Sequence, residues 1–117
     1  MGMIRILRRT LNINLYYRTM SSAQIVTKII EYVASNGGSY SDWYAGIASD
    51  PKDRLFNSHG VQEHSGVWIY APADSSQAAR DAEQHLISRL GTDGGPGGGD
   101  LSTTWVYAYK KTYGTKP

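Results

Sequence analysis

Between Asp42 and Leu55 a strand pattern runs directly into a helix start, and everything else in the chain has to be arranged around that junction. Trp43, Ala45 and Ile47 alternate with Tyr44, Gly46 and Ala48, the period-two pattern of a buried strand containing aromatic and β-branched residues. Asp50 and Pro51 then end the strand sharply. Proline at a first helical position loses no hydrogen bond and has its φ preset, and the aspartate before it can accept from the free N–H groups of the first turn. Tyr44 and Gly46 therefore share one face of the strand. Arg54, ten residues after Tyr44, emerges from the first turns of the helix, so a phenol and a guanidinium can meet in one cleft.

With 117 residues the chain has the length of one domain with a single core. It contains no cysteine, which excludes disulfides, thiolate metal sites and a cysteine nucleophile, and makes the cytoplasm the default expectation. The formal charge of +2 is unevenly spread. Residues 1–20 carry Arg5, Arg8, Arg9 and Arg18 and no acid, leaving eight Lys+Arg against ten Asp+Glu in the remainder. A body of net charge −2 has no basic surplus for a long duplex footprint.

No apolar run in residues 1–19 is long enough for a membrane span, and arginines interrupt any secretory h-region. The segment 1–20 reads as a flexible basic extension, with residues 21–117 forming one domain. Regular signals begin at Ser21. Ser21–Ser22–Ala23–Gln24 has the capping-box pattern, Ile25, Val26, Ile29, Ile30 and Val33 make a helical stripe, and Gly37–Gly38 end it, predicting a helix over about Ser22–Ser35. The helix opened by Pro51 should stop near His59–Gly60. Val67–Ala71 reads as a second strand, and Thr103–Lys110 as a third with Trp105, Tyr107 and Tyr109 on one face. Between them a helix is predicted from after Ser75 to Leu90, stopped by Gly91.

That third helix has an anomaly. At about 100° per residue, Glu83 falls roughly 40° from Ala79 and inside the stripe formed by Ala79, Ala82, Leu86 and Leu90. A carboxylate in an apolar face must be paired, metal-bound or open to a cleft, since an unpaired buried charge costs several kcal/mol or titrates away. The glycine-rich run Gly91–Gly99 lacks the Gly-Lys-Ser/Thr ending of a phosphate-binding loop and reads as a flexible connection. His59, His64 and His85 have no metal-ligand spacing and read, on their own, as solvated side chains.

Tyr44–Ala45–Gly46, with Arg54 in Ser–Asp–Pro–Lys–Asp–Arg–Leu, resembles the second half of the GIY-YIG nuclease domain, and Glu83 is placed like that family's metal-binding glutamate. The resemblance covers about residues 42–90. It implies a divalent-metal-dependent nuclease acting on phosphodiesters of nucleic acid, with Mg²⁺ or Mn²⁺ held by Glu83, and with Tyr44, Arg54, Tyr107 and His59 as catalytic residues. Each role has a physical basis: a guanidinium offers a rigid fork of donors to phosphate oxygens, and a divalent cation neutralises developing charge and acidifies bound water.

The family's first strand, with its Gly-Ile-Tyr, should precede Tyr44 by about ten residues, a place taken here by the first helix and a glycine turn. Trp105–Lys111 is the stretch that reads like it, which implies a rearranged domain whose C-terminal strand fills the vacancy. The expected fold is an α/β (α+β) domain with a small, mainly antiparallel three-stranded sheet flanked by about three helices. Two other readings stand beside the nuclease: a catalytically inactive nucleic-acid-binding module on the same scaffold, and a protein-interaction module using the C-terminal strand as an edge. Arg54 and Glu83 forming a buried ion pair is the alternative to a working site.

Overall fold

The computed structural model describes residues 18–95 and 99–117, a small α+β domain built on a three-stranded antiparallel sheet. Helix α1 (Ser22–Asn36) starts with the predicted reciprocal cap: Ser21 Oγ accepts from the Gln24 amide at 3.2 Å and Gln24 Oε1 accepts from the Ser21 amide at 3.0 Å. It ends where Gly37 takes φ 81° and its amide returns to Val33. The sheet comprises β1 (Trp43–Ala48), β2 (Trp68–Pro72) and β3 (Trp105–Lys110).

β3 pairs with β1 in the register Gly46↔Tyr107 and Tyr44↔Tyr109, the partnership expected of the C-terminal strand. It also pairs with β2, placing Tyr70 opposite Tyr107. The order is β1-β3-β2, so the C-terminal strand lies in the middle and β1 at the side. This corrects the expectation that β3 is an edge available to a protein partner: both rows of its backbone groups are consumed within the sheet. The cause is visible in its side chains. Val106 and Ala108 are buried on one face and Tyr107 and Tyr109 on the other, and a strand without a solvated face belongs inside a sheet.

The two faces are covered differently. α1 and α3 (Ser76–His85) pack Ile25, Ile29, Val33, Ala79, Ala82 and Leu86 against Trp43, Ala45, Ile69, Ala71, Val106 and Ala108. On the opposite face Leu55, Phe56 and Val61 cover an aromatic layer of Tyr44, Trp68, Tyr70, Tyr107 and Tyr109. Leu55 and Phe56 come from the short helix α2 (Asp53–Ser58). Asp50 Oδ1 caps it by accepting from Asp53 N at 3.1 Å. Its winding departs from the expected α-helix, because the His59 amide bonds Arg54 O, five residues back, at 2.9 Å. The same π-type winding extends α3 through Leu86–Leu90 until Gly91, at φ 95°, ends it.

The N-terminal boundary lies earlier than Ser21. Met20 donates its amide to Pro72 O at 2.9 Å and accepts from Asp74 N at 2.8 Å, and Thr19 Oγ1 donates to Asp74 Oδ1 at 2.6 Å. Thr19 and Met20 are thus fastened to the end of β2; residues 1–17 of the expected extension lie outside the described residues. No helix among the described residues is long and apolar enough to cross a membrane.

Candidate functional site

Half of β1's outer side is paired, and the other half has no pairing partner among the described residues. Asp93 bridges it like a fragment of a fourth strand, donating to Trp43 O at 2.8 Å and accepting from Ala45 N at 2.9 Å. Gly94 permits this approach, since a Cβ there would collide with Ile87 and with Ala45 O. Beyond Asp93 no described residue pairs with β1 on that side. Gly46, Ile47, Ala48 and Ser49 instead border an open cavity of about 430 Å³, lined elsewhere by Tyr44, Arg54, Glu83, Tyr107, Gly95, Gly99, Asp100, Ser102 and Thr103.

Four of the five residues singled out from the sequence therefore border one cavity: Tyr44 from β1, Arg54 from α2, Glu83 from α3 and Tyr107 from β3. The fifth, His59, sits behind it. Far from being solvated, its imidazole is buried, with Nε2 2.8 Å from Tyr107 Oη and Nδ1 2.7 Å from the carbonyl oxygen of Lys116. Desolvation holds its pKa below the usual histidine value; the Lys116 carbonyl partly opposes this and the Arg54 charge adds to it. A neutral imidazole is the outcome.

Tyr107 reaches His59 because residue 46 has no side chain. A Cβ built on Gly46 would lie 2.5 Å from Tyr107 Oη, so the phenol occupies the space that any other residue would fill. Burial raises the Tyr107 pKa strongly, with the neighbouring Tyr44 adding to the rise, while the Arg54 guanidinium, within hydrogen-bonding reach of the phenol, pulls the other way. Tyr44 is raised for the same first reason, opposed by the Gly95 amide and by Arg54. Both phenols keep their protons at neutral pH.

Glu83 is only 5% exposed and its pKa is pushed up to about 7 by burial, with the charge of Arg80 as a weaker opposing influence. Lys28–Glu31 and Lys111–Asp93 form ion pairs among the described residues, whereas Glu83 and Arg54 face the same cavity without pairing across it. This corrects the buried-ion-pair alternative. The carboxylate is left available to a ligand. Across the cavity Asp100 is tied into a turn, accepting from Ser102 N at 2.8 Å and Ser102 Oγ at 2.6 Å, contacts that hold its pKa below the usual carboxylate range.

No group of three His, Asp or Glu side chains that could hold a metal occurs among the described residues, and a four-ligand zinc-type centre does not fit. A hard cation has smaller demands. Mg²⁺ keeps most of its water and binds through one or two carboxylates, of which Glu83 on the cavity wall could be one. Because burial favours the protonated form of that carboxyl, cation binding there would be coupled to proton release.

Sequence reasoning missed three participants. Tyr109 Oη lies 3.1 Å from His59 Nδ1, and its ring stacks on Tyr44 with centroids 5.3 Å apart. The glycine-rich run is more than a connection, since Gly95 and Gly99 border the cavity. The C-terminal tail also reaches the imidazole through Lys116. The alternation in β3 could have found Tyr109; nothing in the sequence marks the other two. No protein-family model, curated protein or solved structure matches this chain.

Proposed function

We propose that the domain is a divergent GIY-YIG-like nuclease, cleaving phosphodiesters of nucleic acid with Mg²⁺ or Mn²⁺. The observation that carries this reading is the convergence of Tyr44, Arg54, Glu83 and Tyr107, from four separate elements, on one cavity. The β1–β3 pairing supports the rearranged topology, in which Trp105–Lys110 takes the place of the family's first strand and sets Tyr107 opposite Gly46.

In this mechanism Arg54, exposed at the cavity and within hydrogen-bonding reach of the Tyr107 phenol, directs its remaining donors to non-bridging phosphate oxygens. Glu83 is the residue that would hold the divalent cation, whose contribution is to neutralise charge developing on the phosphate and to acidify bound water. Tyr107 is poised between the cavity and His59. As its hydroxyl proton passes to the neutral Nε2, its oxygen accepts a proton from a water attacking the phosphorus, so no free phenolate is needed despite its raised pKa; the P–O bond to the leaving oxygen breaks as the new one forms, and the leaving alkoxide takes its proton from solvent. Tyr44 lines the cavity beside it and orients substrate through its hydroxyl.

The test is cleavage of single-stranded, duplex and structured nucleic acids with Mn²⁺. Activity in the wild type, lost in Glu83→Gln and Arg54→Ala, is the expected result; no cleavage by wild type, or equal cleavage by the variants, refutes the enzymatic reading. A non-catalytic nucleic-acid-binding module is the second reading, favoured by the lack of any group of three metal-ligating side chains among the described residues. It predicts salt-sensitive binding to nucleic acid without cleavage.

A further inference from the structure

After Lys110 the chain leaves the sheet and doubles back. Thr112 and Thr115 close a turn on each other: Thr115 N donates to Thr112 O at 3.2 Å, and Thr112 N donates to Thr115 Oγ1 at 3.0 Å. The strap then attaches to a single residue at two points. Lys116 N donates to His59 O at 2.8 Å, and Lys116 O lies 2.7 Å from His59 Nδ1.

The second contact has a consequence for proton placement. A carbonyl oxygen can only accept, so a 2.7 Å approach requires the hydrogen to be on Nδ1. In a neutral imidazole Nε2 is then bare and must accept. Its partner at 2.8 Å is Tyr107 Oη, which is therefore compelled to donate its hydrogen toward His59 and to turn its lone pairs toward Arg54 and the cavity. Tyr109 Oη, 3.1 Å from Nδ1, cannot donate there, because that would require the Nδ1 hydrogen to be absent and would set a nitrogen lone pair against the carbonyl; it can only share the same hydrogen as a second, longer acceptor, which leaves the tautomer unchanged.

We infer that the main-chain carbonyl of Lys116 is a positioning group for this site: by fixing His59 as the Nδ1–H tautomer it sets the direction of the proton path from the cavity through Tyr107. This rests on the proposed function only for what the path is used for. The tautomer itself follows from the geometry. With the opposite tautomer, Nε2–H would donate to Tyr107, the phenol hydrogen would point into the cavity, and Tyr107 could no longer take a proton from water while passing its own to His59.

The experiment is imidazole NMR on uniformly ¹⁵N-labelled protein, at a pH above the titration of His59, with His59→Gln used to identify its signals among those of the three histidines. Wild type should show a protonated Nδ1 and a bare Nε2, together with a through-hydrogen-bond coupling from Nδ1 to the ¹³C-labelled Lys116 carbonyl. Deleting Tyr113–Pro117 should shift the population toward Nε2–H, whereas Lys116→Ala, which keeps the carbonyl, should leave the pattern unchanged. An Nε2–H signal or no coupling in wild type overturns the inference without reference to any variant. So does a folded deletion protein that retains the wild-type pattern, or a Lys116→Ala protein that loses it. A wild type that cleaves no nucleic acid removes the nuclease reading, while the spectrum alone decides the tautomer.

Discussion

Tyr107 Oη and His59 Nε2 lie 2.8 Å apart although 48 residues separate them, joining the middle strand of the sheet to the end of the helix that carries Arg54. Tyr107→Phe keeps the ring and removes the hydroxyl, leaving a buried imidazole nitrogen unsatisfied, at a cost of about 1–3 kcal/mol. Arg54→Ala, at an exposed position, should cost less than about 1 kcal/mol. Both should abolish cleavage. Thermal unfolding beside the nuclease assay separates them, and a Tyr107→Phe protein as stable as wild type would show that the contact contributes nothing.

Gly46→Ala should act through Tyr107. The added methyl would lie 2.5 Å from the phenol oxygen, in a buried layer where the ring cannot swing away freely. A loss of about 1–3 kcal/mol is expected from overpacking, with the Tyr107–His59 hydrogen bond broken. The expected readouts are a lowered melting temperature and a changed His59 imidazole spectrum. Wild-type behaviour in both would mean that the space exists.

Much of this arrangement is legible in the order of the residues. Strand alternation puts Tyr44 and Gly46 together, the Asp50–Pro51 cap starts the helix of Arg54, and the helical angle of Glu83 marks it as a carboxylate on an apolar face. Local pattern is what those inferences need. The centrality of β3, by contrast, depends on which strands find each other across the chain, and periodicity carries no pairing information. The burial of His59 is hidden for a similar reason: its partners, Tyr107, Tyr109 and Lys116, all come from beyond residue 100.

Glu83 makes stability depend on pH with a definite sign. Its carboxyl binds a proton more tightly in the folded chain, with a pKa of about 7 against 4.5 for the unfolded reference. Over that window the folded state holds more protons, so this group's contribution falls as pH rises and is lost above about pH 7. His59, with its pKa lowered, contributes the opposite slope below its unfolded value. Glu83→Gln should therefore melt at or above the wild-type temperature at about pH 8 and near it at about pH 4.5. Mg²⁺ or Mn²⁺ should raise the melting temperature of wild type but not of the variant.

The N-terminal boundary can be tested by two deletions. Removing residues 1–17 should leave the melting temperature nearly unchanged, as their lack of caps and apolar period implies. Extending the deletion through Met20 removes the backbone bonds to Pro72 and Asp74 and should cost about 1–2 kcal/mol. Equal effects would place the boundary elsewhere.

The middle position of β3 also dictates an order of assembly. β1 and β2 do not touch as neighbours, so each finds its partner strand in residues 105–110. Neither of these apolar strands, which begin at Trp43 and Trp68, has its partner strand in the sheet until β3 lies between them. The sheet cannot close without bringing together segments about 60 and 40 residues apart, a pattern of non-local pairing that slows folding and leaves strand edges exposed until they meet. Changes that weaken β3 should therefore lower soluble yield before they alter the finished site, because the period of greatest vulnerability precedes the native state.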